Sequence, residues 1–208
     1  MTAHLLVVRH GESTWNALRR WQGQADPPLS ERGESQARNA ATKLAALQPI
    51  DLVVTSSLQR ARRTGELLAQ AASVDLGDAL PGLTERAAGA WEGLTRVEID
   101  EQFPGYLAGG QRPAGYEEDA AIIARAVPAL RELAGRHHGR RVVVVTHGGV
   151  LNALERHAEE VSDDSWQRID NLVGRWFTHV GDDLRTRGPR VSLLTDSTPD
   201  AEADRGYA

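Results

Sequence analysis

Hydrophobic positions along the chain alternate between two spacings. His4-Leu5-Leu6-Val7-Val8 is an almost unbroken run of β formers and predicts a short buried strand. Ala37, Ala40, Ala41, Leu44 and Leu47 then fall at helical spacing. Ser30 suits the N-cap of that helix, Glu31 its first turn, and Pro49 closes it. Residues 51–55 predict a second strand, and a helix follows from about Leu58 to Ala72. Between the first strand and the first long helix, residues 11–28 are polar and turn-rich, a long loop with room for one helical turn. Residues 73–94 have no regular period and read as irregular; residues 95–103 suit a short helix ended by Pro104-Gly105, and 109–113 a loop. A helix over about 117–136 contains Pro128, which predicts a kink or a break. The four valines of residues 141–146 suit a strand buried on both faces, followed by an apolar helix through Leu154. Residues 172–180 and 190–195 predict two last strands.

Strand and helix alternate, so the expected class is α/β with a mostly parallel sheet. At 208 residues one domain is expected, spanning 1–198, with 199–208 as a polar tail. Lysine and arginine number 24 against 29 acidic residues, a net charge of −5. That balance argues against nucleic acid and against anionic membranes as partners, so any bound anion must be held by local positive charge. There is no cysteine, which excludes disulfides, thiolate metal sites and a cysteine nucleophile. The N-terminus lacks the pattern of a signal peptide, and no apolar run reaches the ~20 residues that cross a bilayer, so a cytoplasmic protein is expected.

The candidate chemistry lies at strand ends. Val8-Arg9-His10-Gly11 and Thr146-His147-Gly148 each deliver a histidine followed by glycine. Parallel strands place both endings on one edge of the sheet, the edge where open α/β sheets bind ligands. Gly11 and Gly148 let the backbone turn and approach a ligand closely. Each histidine could instead simply cap its strand; the pairing of two such endings favours a site. Arg60 lies in the first turn of the helix after the second strand, at the same edge, where helix N–H groups also meet anions; the plain alternative is a solvated arginine. Glu85 precedes the glycine-punctuated stretch 89–93 and could serve as a general acid, or as a loop carboxylate paired with Arg86. Together the two arginines and one histidine suit a clamp on a dianionic phosphoryl group, and the other histidine, if unprotonated, can attack phosphorus. No metal or cofactor is called for, since Arg and His supply the charge and no strand-end Asp cluster suits Mg²⁺.

Five stretches in order carry a resemblance. They are Arg9-His10-Gly11-Glu12-Ser13-Thr14-Trp15-Asn16; Leu29-Ser30-Glu31-Arg32-Gly33 with Gln36-Ala37; Ser56-Ser57-Leu58-Gln59-Arg60-Ala61-Arg62-Arg63-Thr64; Leu83-Thr84-Glu85-Arg86 with Gly89-Ala90-Trp91-Glu92-Gly93-Leu94; and Val145-Thr146-His147-Gly148-Gly149. In these the chain resembles the histidine phosphatase superfamily, in its phosphoglycerate mutase-like branch, from about residue 4 to 198. The resemblance implies a three-layer α/β/α sandwich with a cap-like insertion around 95–118. It makes His10 the phosphorylated nucleophile, Glu85 the proton donor, and Arg9, Arg60 and His147 the phosphoryl ligands. Asn16 would reach the phosphoryl group or position His10, Gln22 and Gly23 would line the substrate side, and Gly148 would lie against the ligand.

The chain departs from that family in three places. Gly115-Tyr116-Glu117-Glu118 stands where the family often has Gly-Gly-Glu-Ser, so Tyr116 would alter the pocket. Ala87-Ala88 stands where mutases have His-Tyr, and the stretch before His147 is shorter than theirs. The last two favour a phosphatase over a mutase. The expected activity is hydrolysis of a small phosphomonoester, a sugar phosphate or phosphoglycerate derivative or a broad set, through a phosphohistidine. A phosphoglycerate mutase and a catalytically silent phosphate-binding module are the alternatives. Trp15, Trp21, Phe103, Tyr106, Tyr116 and Arg112 are available for the pocket walls, although each reads first as a packing or surface residue. Residues 172–177 read as a strand that could sit at the sheet edge and pair in a homodimer, or as an ordinary core or edge strand.

Overall fold

A computed structural model describes residues 2–47, 49–160 and 168–194. The strands are β1 (His4–Arg9), β2 (Leu52–Ser56), β3 (Asp75–Leu80), β4 (Arg141–Thr146), β5 (Val173–Val180) and β6 (Asp183–Ser192). The helices are α1 (Thr14–Ala17), α2 (Glu31–Leu47), α3 (Gln59–Ala72), α4 (Arg96–Gln102), α5 (Asp119–Arg136) and α6 (Gly148–Glu159). One six-stranded sheet runs in the order β3-β2-β4-β1-β5-β6. β3, β2, β4 and β1 are parallel, while β5 and β6 run antiparallel to their neighbours.

Residues of β1, β2 and β4 are buried on both faces, yet they sort by the two-residue pleat. Leu5, Val7, Val54, Val142 and Val144 face α5 and α6, where they meet Ile122, Leu130, Leu151 and Leu154. Leu6, Val8, Val53, Val143 and Val145 face α2 and α3, where they meet Ala40, Leu44, Ala61 and Leu68. The small residues of α2 and α3 let those helices lie close to the sheet. This is the three-layer α/β/α sandwich, with four parallel strands of six. Among the described residues no helix is long and apolar enough to cross a membrane.

Several expectations need correction. The irregular stretch after residue 73 contains β3, an edge strand whose sequence Asp-Leu-Gly-Asp-Ala-Leu carries little β propensity and whose first four residues are exposed. Pairing with β2 holds it there. α5 runs unbroken through Pro128. Pro128 is on the exposed side of the helix, so water can satisfy the carbonyl that its missing N–H leaves unpaired. The last strand starts at Asp183, seven residues before the expected 190, because a short turn after Val180 folds β6 straight back onto β5. β5 therefore lies inside the sheet between β1 and β6, and it offers no edge for a second copy. The expected polar tail, 199–208, lies outside the described residues.

α4 and the turns after it lead through residues 103–118 to α5. Their apolar side chains gather on Trp91 and Ile99, with Trp21, Phe103, Tyr106 and Tyr116 packed around them.

Candidate active site

β1 and β4 lie side by side in register, with Arg9 opposite Thr146. The His10 N–H donates to the Thr146 carbonyl at 3.0 Å, so the two strand ends leave the sheet together. The His10 and His147 rings consequently meet edge to face, 5.1 Å between centroids. His10 is 1% exposed and His147 not at all. The Nδ1 of His10 lies 2.6 Å from the Gly11 carbonyl, which can only accept. Nδ1 therefore carries the ring proton, and Nε2 keeps its lone pair. Arg60 Nε donates to that Nε2 at 3.2 Å.

Arg60 enters from the first turn of α3 and is fully buried. Its Nη1 donates to the Ala25 carbonyl at 2.7 Å and its Nη2 to the Gly23 carbonyl at 2.9 Å, which ties the 11–28 loop to α3. Burial pulls its pKa down to about 10, so the guanidinium is still charged at neutral pH. Burial first, and then the charges of Arg60 and Arg9, hold the His10 imidazole well below its ordinary value of 6.5. The same causes, burial foremost, act on His147. Both rings are neutral at physiological pH. His147 caps the start of α6, and its Nε2 is 2.8 Å from Ser56 Oγ. Its Nδ1 is buried with no partner among the described residues, a costly arrangement unless a ligand atom supplies one.

Glu85 faces the start of α6. Its carboxylate accepts from the Gly149 N–H at 3.2 Å and the Arg86 N–H at 2.7 Å. A Cβ on Gly149 would sit 2.4 Å from Glu85 Oε1 and would push the carboxylate from its present place. The Arg86 guanidinium turns away to Asp119 and to the Glu117 carbonyl, so an ion pair between Glu85 and Arg86 is not what holds the carboxylate. Arg9 Nη1 donates to the Ile169 carbonyl. Asn16 closes a capping box on α1: its Oδ1 accepts from the Ser13 N–H at 3.1 Å. Gln22 accepts from Ser13 Oγ at 2.6 Å. Gly23 has φ +52°, and a Cβ there would overlap the Glu92 carboxylate.

A cavity of about 460 Å³ opens over this edge. Arg9, His10, Asn16, Gln22, Gly23, Glu85 and Gly148 all line it. Arg60 and His147 are not among its lining residues; buried against His10, one on its Nε2 and one in ring contact, they make the floor of the site with it. Among the aromatic candidates Trp21 and Tyr116 reach the cavity, while Trp15, Phe103 and Tyr106 do not. Arg112 also stays outside it. Its guanidinium lies over the Tyr116 ring at 5.2 Å and the Trp91 ring at 5.6 Å, and Arg86 lies over Tyr116 at 5.2 Å.

The structure adds residues that the sequence did not single out. Asn171, in the approach to β5, is 3% exposed and lines the cavity. Its amide reaches back across the sheet to His10, a contact between residues 161 apart with no local signature. Ser56 ends β2 under His147, and Thr64 bonds the Gly11 N–H. Arg19, Arg20, Arg32, Arg86 and Arg168 surround the mouth with Arg9, against the carboxylates of Glu12 and Glu85. No group of three or more His, Asp and Glu side chains suited to a metal ion occurs among the described residues.

Residues 5–183 match the sequence profile of the histidine phosphatase superfamily (branch 1). The chain is 38% identical over 207 residues to a metal-independent phosphoserine phosphatase of Arabidopsis thaliana, covering 86% of this chain and 87% of that one. It is 34% identical over 200 residues to a glucosyl-3-phosphoglycerate phosphatase of Mycolicibacterium vanbaalenii, covering 88% and 86%. Among solved structures, a mycobacterial glucosyl-3-phosphoglycerate phosphatase in complex with VO3 superposes with a TM-score of 0.78 at 30% identity, over 88% of this chain and 96% of that one.

Proposed function

The chain belongs to the histidine phosphatase superfamily and is a metal-independent hydrolase of small phosphomonoesters; from that premise we propose that His10 Nε2 is the phosphoryl acceptor. The observation that carries this assignment is the bond from Arg60 Nε to His10 Nε2 at 3.2 Å. It marks a nitrogen with a free lone pair, aimed at a cation that an incoming phosphoryl oxygen can share. When substrate binds, Arg60 moves its donor from Nε2 to a phosphoryl oxygen, which frees the lone pair for phosphorus. Arg9 and the Asn16 amide face the same group from the cavity. His147 gives it the Nδ1–H that has no partner among the described residues.

Glu85 is the proton donor. Attack by Nε2 forms the N–P bond and breaks the ester P–O bond, and the Glu85 carboxyl proton goes to the leaving oxygen. Glu85, now ionised, takes a proton from water as that water attacks the phosphohistidine, which yields inorganic phosphate and restores both groups. Positive charge fixed in a dry site carries the negative charge that develops on the phosphoryl oxygens.

Residues 95–118 are the wall that sets substrate shape, through Tyr116. The substrate carries a carboxylate besides its phosphoryl group. Six arginines line the cavity against two carboxylates, in a chain whose net charge is −5. A volume of about 460 Å³ also holds more than a phosphoryl group. The relatives named for phosphoserine and for glucosyl-3-phosphoglycerate act on esters of that kind. The test compares kcat/KM for phosphoserine and 3-phosphoglycerate with kcat/KM for sugar phosphates of similar size, measuring phosphate release and phosphoglycerate isomerisation side by side. The reading expects phosphate release without isomerisation and a preference of about tenfold or more for carboxylate esters, one charge-assisted contact's worth. Equal rates for both sets would remove the carboxylate, and isomerisation would make the enzyme a mutase.

A further inference from the structure

We propose that Asn171 is a positioning residue which, with Thr64, pins the His10–Gly11 peptide and so fixes which ring nitrogen of His10 is the nucleophile. The inference rests on the assignment of His10 as phosphoryl acceptor. Three hydrogen bonds converge on this one stretch of backbone. The His10 carbonyl accepts from Asn171 Nδ2 at 2.8 Å. The N–H of the same peptide plane, that of Gly11, donates to Thr64 Oγ1 at 3.0 Å. The next carbonyl, that of Gly11, receives the His10 Nδ1 proton at 2.6 Å. A peptide plane held at both its oxygen and its nitrogen cannot rotate, and the next plane, which carries the Gly11 carbonyl, is held at its own N–H, that of Glu12, by Gln36 Oε1 at 2.9 Å, so the Gly11 carbonyl stays beneath Nδ1. If it turned away, the ring proton would lose its acceptor and could pass to Nε2 once Arg60 turns to the phosphoryl group, and a protonated Nε2 cannot attack phosphorus.

Each pin is itself fixed. Thr64 Oγ1 gives its own proton to the Arg60 carbonyl at 2.7 Å, so toward Gly11 it can only accept. Asn171 is aimed by its neighbour. Leu172 has φ +56°, a conformation that a branched residue rarely adopts. With that turn its N–H bonds the Arg9 carbonyl at 3.0 Å, and its side chain is fully buried with Leu6 and Val8. Backbone strain over-determined by packing belongs to sites where position matters. The carbonyls of Arg9 and His10 are thus both taken from the 171–172 segment, one by backbone and one by side chain. Asn171 Nδ2 also lies 3.5 Å from Asn16 Oδ1, a longer contact with the same polarity. That oxygen already accepts from Ser13 N–H, which leaves the Asn16 amide nitrogen to face the cavity.

The test has two arms. Long-range ¹H–¹⁵N spectra of the wild-type protein report the His10 tautomer directly. The proposal expects the proton on Nδ1; a proton on Nε2 overturns it, whatever any variant does. Asn171→Ala and Thr64→Val are then compared with wild type in rapid-quench measurements of His10 phosphorylation, alongside competitive inhibition by inorganic phosphate. Each variant is expected to slow phosphorylation about tenfold, the worth of one buried hydrogen bond, and to show a mixed tautomer. The phosphate inhibition constant is expected to stay within about twofold, and Thr64→Ser, which keeps the hydroxyl, to recover most of the loss. Phosphorylation within twofold of wild type overturns the proposal, as does an equal loss of phosphate affinity, which would mean general damage to the site. Absence of any phosphohistidine in wild type would instead defeat the assignment of His10, while the tautomer spectrum would still decide the role of Asn171.

Discussion

At the floor of the cavity His10, Arg60 and His147 are at most 1% exposed, and their donors and acceptors are held largely by backbone. His10 bonds the Gly11 carbonyl, and Arg60 bonds the carbonyls of Gly23 and Ala25. At the mouth Arg20 and Arg32 are half-exposed and are held by side-chain carboxylates, Arg20 by Glu98 at 2.8 Å and Arg32 by Glu12 at 3.0 Å. Two kinds of support serve two needs. Backbone acceptors cannot be substituted away, and burial makes each charge at the floor act at low dielectric, so the chemistry is built before substrate arrives. Ion pairs near the surface are weak and exchangeable, so the mouth can change its preference without disturbing the floor.

The comparison breaks first at Arg60. Arg60→Ala removes a buried cation and three hydrogen bonds, and kcat/KM for an aryl phosphate is expected to fall by about 10²–10³-fold, as for other preorganised charge donors. A loss below tenfold in steady-state assays would show that the floor does not depend on it. Glu85→Gln keeps shape but removes the proton. Its kcat is expected to fall by about 10²-fold for alkyl phosphates and much less for p-nitrophenyl phosphate, whose leaving group needs no proton. Equal losses on both would deny Glu85 its role as acid. At the mouth, Arg19→Ala is expected to lower the ratio of kcat/KM for phosphoserine to that for p-nitrophenyl phosphate by up to about tenfold. A change common to both substrates would place Arg19 in the floor's business.

The smallest effect separates the regions by pH. His10 and His147 have pKa values well below 6.5 when folded and near 6.5 when unfolded. As pH falls below 6.5 the unfolded chain binds protons that the folded chain refuses. The stability from keeping these rings neutral is whole above pH 6.5 and declines below it. Melting temperature is expected to drop between pH 7 and 5.5, and the drop is expected to shrink in His147→Asn. A melting temperature that rises over that interval would mean the rings charge in the fold.

The floor was legible in the sequence because its parts lie at ends of elements that hydrophobic spacing reveals. A valine-rich strand followed by His-Gly names its own position on the sheet, and so does an arginine one residue into a helix. Gly33 was legible only as part of a motif; in the fold a Cβ on it would lie 1.9 Å from the Glu12 carbonyl, so α2 could not dock against the His10 loop. Asn171 was not legible, since its meaning is a contact across 161 residues. β3 was missed because pairing with β2, not propensity, makes it a strand, and Pro128 misled because its cost depends on which side of α5 meets water. At the mouth the packing role expected first for the aromatic candidates holds for two of them, while the arginines there carry no local signature. Phe103 and Tyr106 are spent on packing around Trp91, and the cavity's outer charge comes from arginines scattered from residue 19 to residue 168.

The central claim is that His10 carries the phosphoryl group between two half-reactions. Brief reaction with a ³²P-labelled phosphomonoester, quenched in alkali and mapped by peptide sequencing, tests it most directly. The account predicts label that is stable to base and lost in acid, bound to His10, and absent from His10→Ala. Turnover with no covalent label, or label on any other residue, would contradict it.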